Sequence, residues 1–311
     1  MAESSTEAAS QSPEKPPDDG DAGGNRESGI GNRGTNASSV ALKRELAAAV
    51  AIPVVLGILF RLPAIFFNVL VAGIALAALW EFYRLAEKAG FPVSKTVGLG
   101  ASAVLLLYWA AIRGLGIRPD HPGGTLAAGL LALVFVACAA PLLARIDPRK
   151  ALGGSSATVF GVLSIALPAT AMCSLRALSP RAVLLLLLIV WGCDSFAYYT
   201  GRSIGRHKLA PTVSPNKTWE GTIGGLVGAT LIGAAGGTWV VLPELGPALG
   251  ALAGAAASSA GQLGDLVESL WKRGAGVKDS GTFLPGHGGF YDRIDSLLFA
   301  GPILAAILFL R

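Results

Sequence analysis

Charge is what this sequence has least of. Asp, Glu, Lys and Arg make up 14% of its 311 residues, where soluble domains carry about 25%, so a water-soluble enzyme is a poor fit from the outset. Cysteine is scarce as well. Cys138, Cys173 and Cys193 are odd in number, lie inside apolar stretches and show no paired metal spacing; neither a disulfide framework nor a zinc site is supported, and they read as small core residues. The three histidines have no Ser/His/Asp elbow or Cys/His metal pair around them. Phosphate loops of the soluble kind, G-x-x-x-x-G-K-[ST] or G-x-G-x-x-G after a strand, are absent too, so any nucleotide is bound in another way. No internal repeat is evident, and the polar loops are too short for a second folded domain.

What is present is apolar sequence in long runs. Hydrophobic residues make up 52% of the chain, and from Lys43 onward they predict nine helical spans at about 45–60, 64–82, 96–112, 124–144, 154–176, 181–200, 220–242, 247–270 and 294–310. Each approaches the length that crosses a hydrocarbon layer of about 30 Å. The expected fold is therefore an all-α, polytopic integral membrane protein. Pro53 and Pro168 fall inside spans, where neighbouring helices can re-satisfy the freed carbonyls. Residues 1–42 differ: Ser, Glu, Asp, Pro and Gly dominate, three bases face seven acids, and a disordered acidic tail with no signal peptide is expected. Residues 43–311 form the membrane domain, with 22 bases against 13 acids. A basic body suits anionic lipid and phosphorylated substrates; nucleic acid is not among the expected partners.

Nine crossings place the tail and the loops near 84–95, 145–153, 201–219 and 271–293 on one side. That side holds sixteen Lys and Arg, the other six, the asymmetry of a cytosolic face. Span seven repeats small residues, Gly221, Gly224, Gly225 and Gly228 among them, a face that lets helices approach closely in lipid, either within the chain or at a homodimer interface.

The polar residues concentrate in two stretches. Residues 264–296 hold four Asp, one Glu, two Lys and two Arg. Asp265, Glu268, Ser269 and Lys272 share one helix face at i, i+3, i+4 and i+7; Asp292, Asp295 and Ser296 do so where the last span begins. Two helix tips can thus bring carboxylates together for a hard cation and a phosphate, with Lys272, Arg273, Lys278 and Arg293 supplying opposite charge. The alternative stays open that Asp292 and Asp295 only cap a helix and Asp265 only pairs with Lys272 or Arg273. His287 sits among glycines in Pro285–Gly289, as a phosphate donor, an acid or base, or an ordinary loop residue. In the second stretch, 191–221, Asp194 is ionisable at membrane depth, functional or else paired with Arg202 or Lys217. The loop after it carries Arg202, Arg206, Lys208, Ser214, Lys217 and Thr218, suited to phosphate or to plain positive-inside charge.

The run Ser269-x-x-Lys272-Arg273-x4-Lys278-Asp279-x5-Pro285-Gly286-His287-Gly288-Gly289-x-x-Asp292-Arg293-x-Asp295 resembles the signature of phosphatidate cytidylyltransferases, the CDP-diacylglycerol synthases. Asp194-Ser195, Gly205-Arg206-His207-Lys208, Ser214-Pro215-x-Lys217-Thr218, Glu220-Gly221 and Gly264-Asp265 with Glu268 resemble its other motifs. The likeness covers about 45–311 and is specific over 191–296. Trp271 departs from the usual smaller apolar residue, and Asn216 from a second Lys found in many members.

The resemblance implies that phosphatidate and CTP give CDP-diacylglycerol and pyrophosphate in the cytoplasmic membrane. It implies a Mg²⁺ requirement, with K⁺ described beside Mg²⁺ in relatives, and makes Asp265 and Asp292 the metal ligands. Lys272, Arg273 and His287 complete the catalytic set. Asp194, Lys208, Ser214, Lys217, Thr218, Glu268, Lys278, Asp279, Arg293 and Asp295 are expected to bind substrate. The rivals are a CTP-using lipid kinase and, from another class, a transporter with broken spans; charge clustered at one face with no inverted repeat speaks against the latter.

Overall fold

A backbone in lipid has to satisfy its own N–H and C=O groups, so apolar runs of this length fold as helices. The computed structural model describes residues 52–115, 122–237, 241–281 and 288–310; the tail at 1–42 and His287 lie outside the described residues. In chain order the elements are α1 (Ile52–Arg61), α2 (Ala64–Lys88), α3 (Lys95–Gly114), α4 (Pro122–Leu143), α5 (Pro148–Gly161), a π turn (Val162–Ala166), α6 (Leu167–Leu178), α7 (Pro180–Ile204), β1 (Lys208–Ala210), β2 (Ser214–Thr218), α8 (Trp219–Ala235), α9 (Pro247–Gly274) and α10 (Tyr291–Phe309).

The chain is an all-α polytopic membrane protein. Among the described residues six helices are long and apolar enough to cross a membrane: α2, α3, α4, the continuous Pro148–Leu178, α7 and α10. The other expected spans do not reach that standard. α1 is described over ten residues, α8 has 17, and α9, at 28 residues, is rich in Gly, Ala and Ser and ends in charge. Large apolar side chains on α4, such as Phe135 and Leu143, stand exposed, as a lipid-facing surface requires. Cys173 and Cys193 are buried as expected, but Cys138 is exposed on α4, because that helix is apolar all round and presents much of itself outward.

The prolines are accommodated locally. Pro53 lies in α1, where it removes one backbone donor. Pro168 follows the π turn at once; widening the helix there spares the clash that a proline ring makes with the carbonyl four residues earlier. The expected loop at 201–219 holds a small antiparallel hairpin, with Lys208 opposite Thr218 and Ala210 opposite Ser214. Thr218 ends β2 and caps α8, its hydroxyl accepting from Gly221 N at 3.1 Å, so the hairpin feeds directly into a helix.

Two apolar clusters hold the body together. One surrounds α7, with Leu185, Leu186, Ile189, Ala257 and Leu304; the other surrounds α2, with Leu79, Phe82, Tyr83, Ile165 and Tyr291. The small-residue face of α8 is used within the chain. A Cβ on Gly254 of α9 would meet the Ala229 carbonyl oxygen at 2.3 Å, so α8 and α9 lie nearly backbone to backbone.

Candidate active site

The site is built where α9 ends and α10 begins. α9 stops in a glycine-terminated turn: Gly276 has φ +70°, Gly276 N donates to Arg273 O at 3.0 Å and Val277 N to Lys272 O at 2.9 Å. A left-handed glycine at this position satisfies the last carbonyls and turns the chain sharply. α10 approaches α9 closely at Gly264, where a Cβ would lie 2.8 Å from Asp295 O. Glycine there lets the next residue, Asp265, stand beside Asp295.

Asp265, Glu268 and Asp295 form one carboxylate group, each offering an oxygen within 4.8 Å of the others, and they can hold a metal ion. The donors are all carboxylate oxygens, a set that suits a hard divalent cation. Glu268 is buried. Its Oε2 lies 2.5 Å from Lys272 Nζ, and its carboxyl also meets that of Asp292. Burial, and then the neighbouring Asp292 carboxyl, push the Glu268 carboxyl up to about 9, so keeping its charged form calls for positive charge nearby.

Asp292 is fixed differently. Lys272 Nζ donates to its Oδ1 at 2.7 Å, Gly289 N to its Oδ2 at 2.8 Å, and Ser280 N to Oδ2 at 3.2 Å. Lys272 therefore stands between Glu268 and Asp292 and ties the group of three to the start of α10.

The hairpin closes the other side. Lys217 Nζ reaches Asp265 Oδ2 at 2.6 Å, and Ser269 Oγ lies 3.4 Å from Asp265 Oδ1. Asp194, Lys217 and Asp265, with Arg202 and Gln262, line a polar cleft of about 550 Å³. Arg273 binds the hairpin turn, donating from Nε to Val213 O at 3.2 Å. Beyond the opposite face of the α9 tip lies a second, apolar cleft of about 800 Å³, lined by Phe82, Phe91, Ala157, Phe160, Trp271 and Arg273. Trp271 packs edge-on to Phe82 at 5.5 Å between centroids and stacks on Tyr291 at 6.3 Å, so the departure at this position is absorbed by an aromatic cluster.

A family profile described as "Cytidylyltransferase family" matches residues 42–311. The chain belongs to that family. It is 36% identical over 270 residues to a phosphatidate cytidylyltransferase of Pseudomonas aeruginosa, covering 86% of this chain and 96% of that one. A phosphatidate cytidylyltransferase of Staphylococcus epidermidis is 48% identical over 128 residues, 41% of this chain and 49% of the relative. One of Haemophilus influenzae is 41% identical over 140 residues, 41% and 45% of the two chains.

In this family member the expected residues fall into three groups. Asp265, Glu268, Lys272, Asp292, Asp295, Lys217 and Asp194 converge. Arg273, Lys278, Asp279 and Arg293 are exposed around them, as is Lys208 on β1. Ser214 and Thr218 serve the hairpin: Ser214 pairs with Ala210, and Thr218 is buried as a helix cap. Glu268 and Asp295 meet around Asp265, and Asp292 adjoins them through its side-chain contact with Glu268 and through Lys272.

Two residues escape the sequence reading. Gln262 lies one turn before Asp265 in the cleft wall, anchored through Nε2 to Thr222 O at 3.3 Å; its place on the same face was the available signal. Glu81 is a buried acid inside an expected span, and the reasoning that singles out Asp194 applies to it equally.

Proposed function

We propose that this protein is a phosphatidate cytidylyltransferase, joining CTP to phosphatidate to give CDP-diacylglycerol and pyrophosphate. The observation that carries the reading is the Lys217–Asp265 contact of 2.6 Å. It joins the basic hairpin to the carboxylate group, so that phosphate-binding charge and metal-binding charge share one cleft. Membership of the family and the names of relatives support the substrates.

Asp265 and Asp292 would hold Mg²⁺, with Glu268 and Asp295 as the further carboxylates beside Asp265; a neighbouring K⁺ belongs to the same reading. The ion would supply charge neutralisation on the nucleotide phosphates. The chain's own groups do the rest. Lys217 and Arg202 receive the triphosphate in the polar cleft, and Lys272 and Arg273 neutralise phosphate at the α9 tip. A phosphatidate phosphate oxygen attacks the α-phosphorus of CTP in line. The new O–Pα bond forms as the bond to the β-phosphate oxygen breaks, and the electron pair leaves with pyrophosphate, with no covalent enzyme intermediate. We place one acyl chain of the lipid in the apolar cleft, with Arg273 at its rim. The nine-span topology, with hairpin and helix tips facing the cytosol from the cytoplasmic membrane, gives both substrates access from one side.

The test is direct. Purified protein in mixed micelles with labelled CTP, phosphatidate and Mg²⁺ should yield a lipid-soluble cytidine product and pyrophosphate in equal amounts. Release of CDP with phosphorylated lipid would instead identify a kinase, and no lipid product at all would refute the reading.

A further inference from the structure

Glu81 of α2 lies far from the signature in sequence and underneath it in space. Its Oε2 accepts from Ser280 Oγ at 3.1 Å and from Tyr291 N at 2.9 Å, so one carboxylate oxygen holds residues from both sides of the α9–α10 connection. The backbone is moulded to it. A Cβ on Gly281 would lie 2.3 Å from Glu81 Oε1, and one on Gly289 2.2 Å from Oε2. Tyr291 opens α10, and a carboxylate against the first N–H groups of a helix is favoured by their unpaired donors and by the helix dipole.

The two residues that Glu81 holds also bear on Asp292. Ser280 gives its hydroxyl to Glu81 and its N–H to Asp292, and Tyr291 precedes Asp292 in the chain. Asp292 holds Lys272, and Lys272 holds Glu268 of the carboxylate group. A water-filled loop would let Ser280 and Tyr291 drift; an acid that is 5% exposed on a packed helix does not.

We infer that Glu81 is a positioning residue for the metal-binding carboxylates, acting through Ser280 and Tyr291 on Asp292 without touching substrate. The role rests on the function proposed above, and it makes α2 part of the site.

The experiment compares Glu81→Ala, Glu81→Gln and Ser280→Ala in the full chain in detergent. Three quantities are read: melting temperature, Mn²⁺ binding by electron paramagnetic resonance, and turnover as a function of Mg²⁺. Glu81→Ala should weaken Mn²⁺ binding at least about tenfold, move the Mg²⁺ activation midpoint upward by a similar factor and lower kcat about 100-fold. Glu81→Gln keeps an acceptor and should restore most of both, while Ser280→Ala should shift the midpoint a few-fold. Adding Ser280→Ala to Glu81→Ala should cost little more, because the two act as one unit. If every variant melts lower but binds Mn²⁺ with unchanged affinity, Glu81 is merely structural and the inference fails. Should Glu81→Ala not fold, Ser280→Ala decides the matter: a few-fold weaker Mn²⁺ binding supports the inference, and an unchanged affinity and Mg²⁺ midpoint overturn it. Absence of turnover in the unaltered protein would refute the proposed activity alone, since the Mn²⁺ titration still judges Glu81.

Discussion

The two lysine–carboxylate pairs at the tip of α9 look alike on paper and differ in physical character. Lys217–Asp265 is open, its side chains 27% and 35% exposed, and Lys217 comes from a short hairpin. Lys272–Asp292 is closed, at 13% and 11%, and Asp292 takes two further backbone N–H groups. An open pair is weak and screened by salt, so a ligand with more charge can replace either partner. A closed pair is worth little as net stability, yet removing one member costs about 3–5 kcal/mol because the other charge stays buried. On the function proposed above, the open pair would exchange partners with substrate and metal, and the closed pair would be the frame.

The sharpest way to break this comparison is to neutralise the two acids in turn. Asp265→Asn should lower kcat/KM by about 1,000-fold at every Mg²⁺ concentration while the melting temperature stays within about 2 °C. Asp292→Asn should lose activity to a comparable or slightly smaller extent, and in addition lose about 3 kcal/mol of stability, because Lys272 is left with Glu268 alone. Near-normal turnover in either variant removes that acid from the site. If instead Asp265→Asn unfolds and Asp292→Asn does not, the assignment of frame and exchanging pair is reversed.

How much of this was legible in the sequence follows from the same division. The Lys272 of the closed pair also meets Glu268 at i, i+4 spacing within α9, and such spacing can be read without a structure. That two helix tips meet was legible too, because short connections and clustered charge leave few alternatives. Which carboxylates meet was not. Asp295 stands beside Asp265 because Gly264 lets two helices close to near backbone contact, a tertiary distance that no spacing along the chain encodes. The hairpin was hidden by its length, since strands of three and five residues carry too little alternation to register. Glu81 was hidden by its partners, which lie 199 and 210 residues away.

A smaller effect sharpens the comparison from the open side. Lys217→Ala removes one ammonium from the polar cleft and frees Asp265 to solvent. The KM for CTP should rise about tenfold, worth about 1.4 kcal/mol, with kcat within a few-fold of the unaltered protein and folding unaffected. High salt should reproduce part of this in the unaltered protein and less of it in Lys217→Ala. A KM unchanged for both substrates would leave the hairpin with no part in binding.

The mildest change tests whether the far face of α9 matters to the lipid alone. Ala157 lines the apolar cleft, opposite the α9 tip from Asp265 and Lys217, so Ala157→Trp fills space without touching either pair. An acyl chain seated there gains about 0.8 kcal/mol for each buried CH₂; blocking two to three of them should raise the KM for long-chain phosphatidate by roughly tenfold or somewhat more, tempered by lipid finding other apolar surface. The KM for CTP should not move, and a phosphatidate with chains too short to reach the cleft should be handled equally by both proteins. Equal losses with short and long chains would mean that the substitution disturbs the α9 tip itself, and the apolar cleft would then be only a lipid-facing groove.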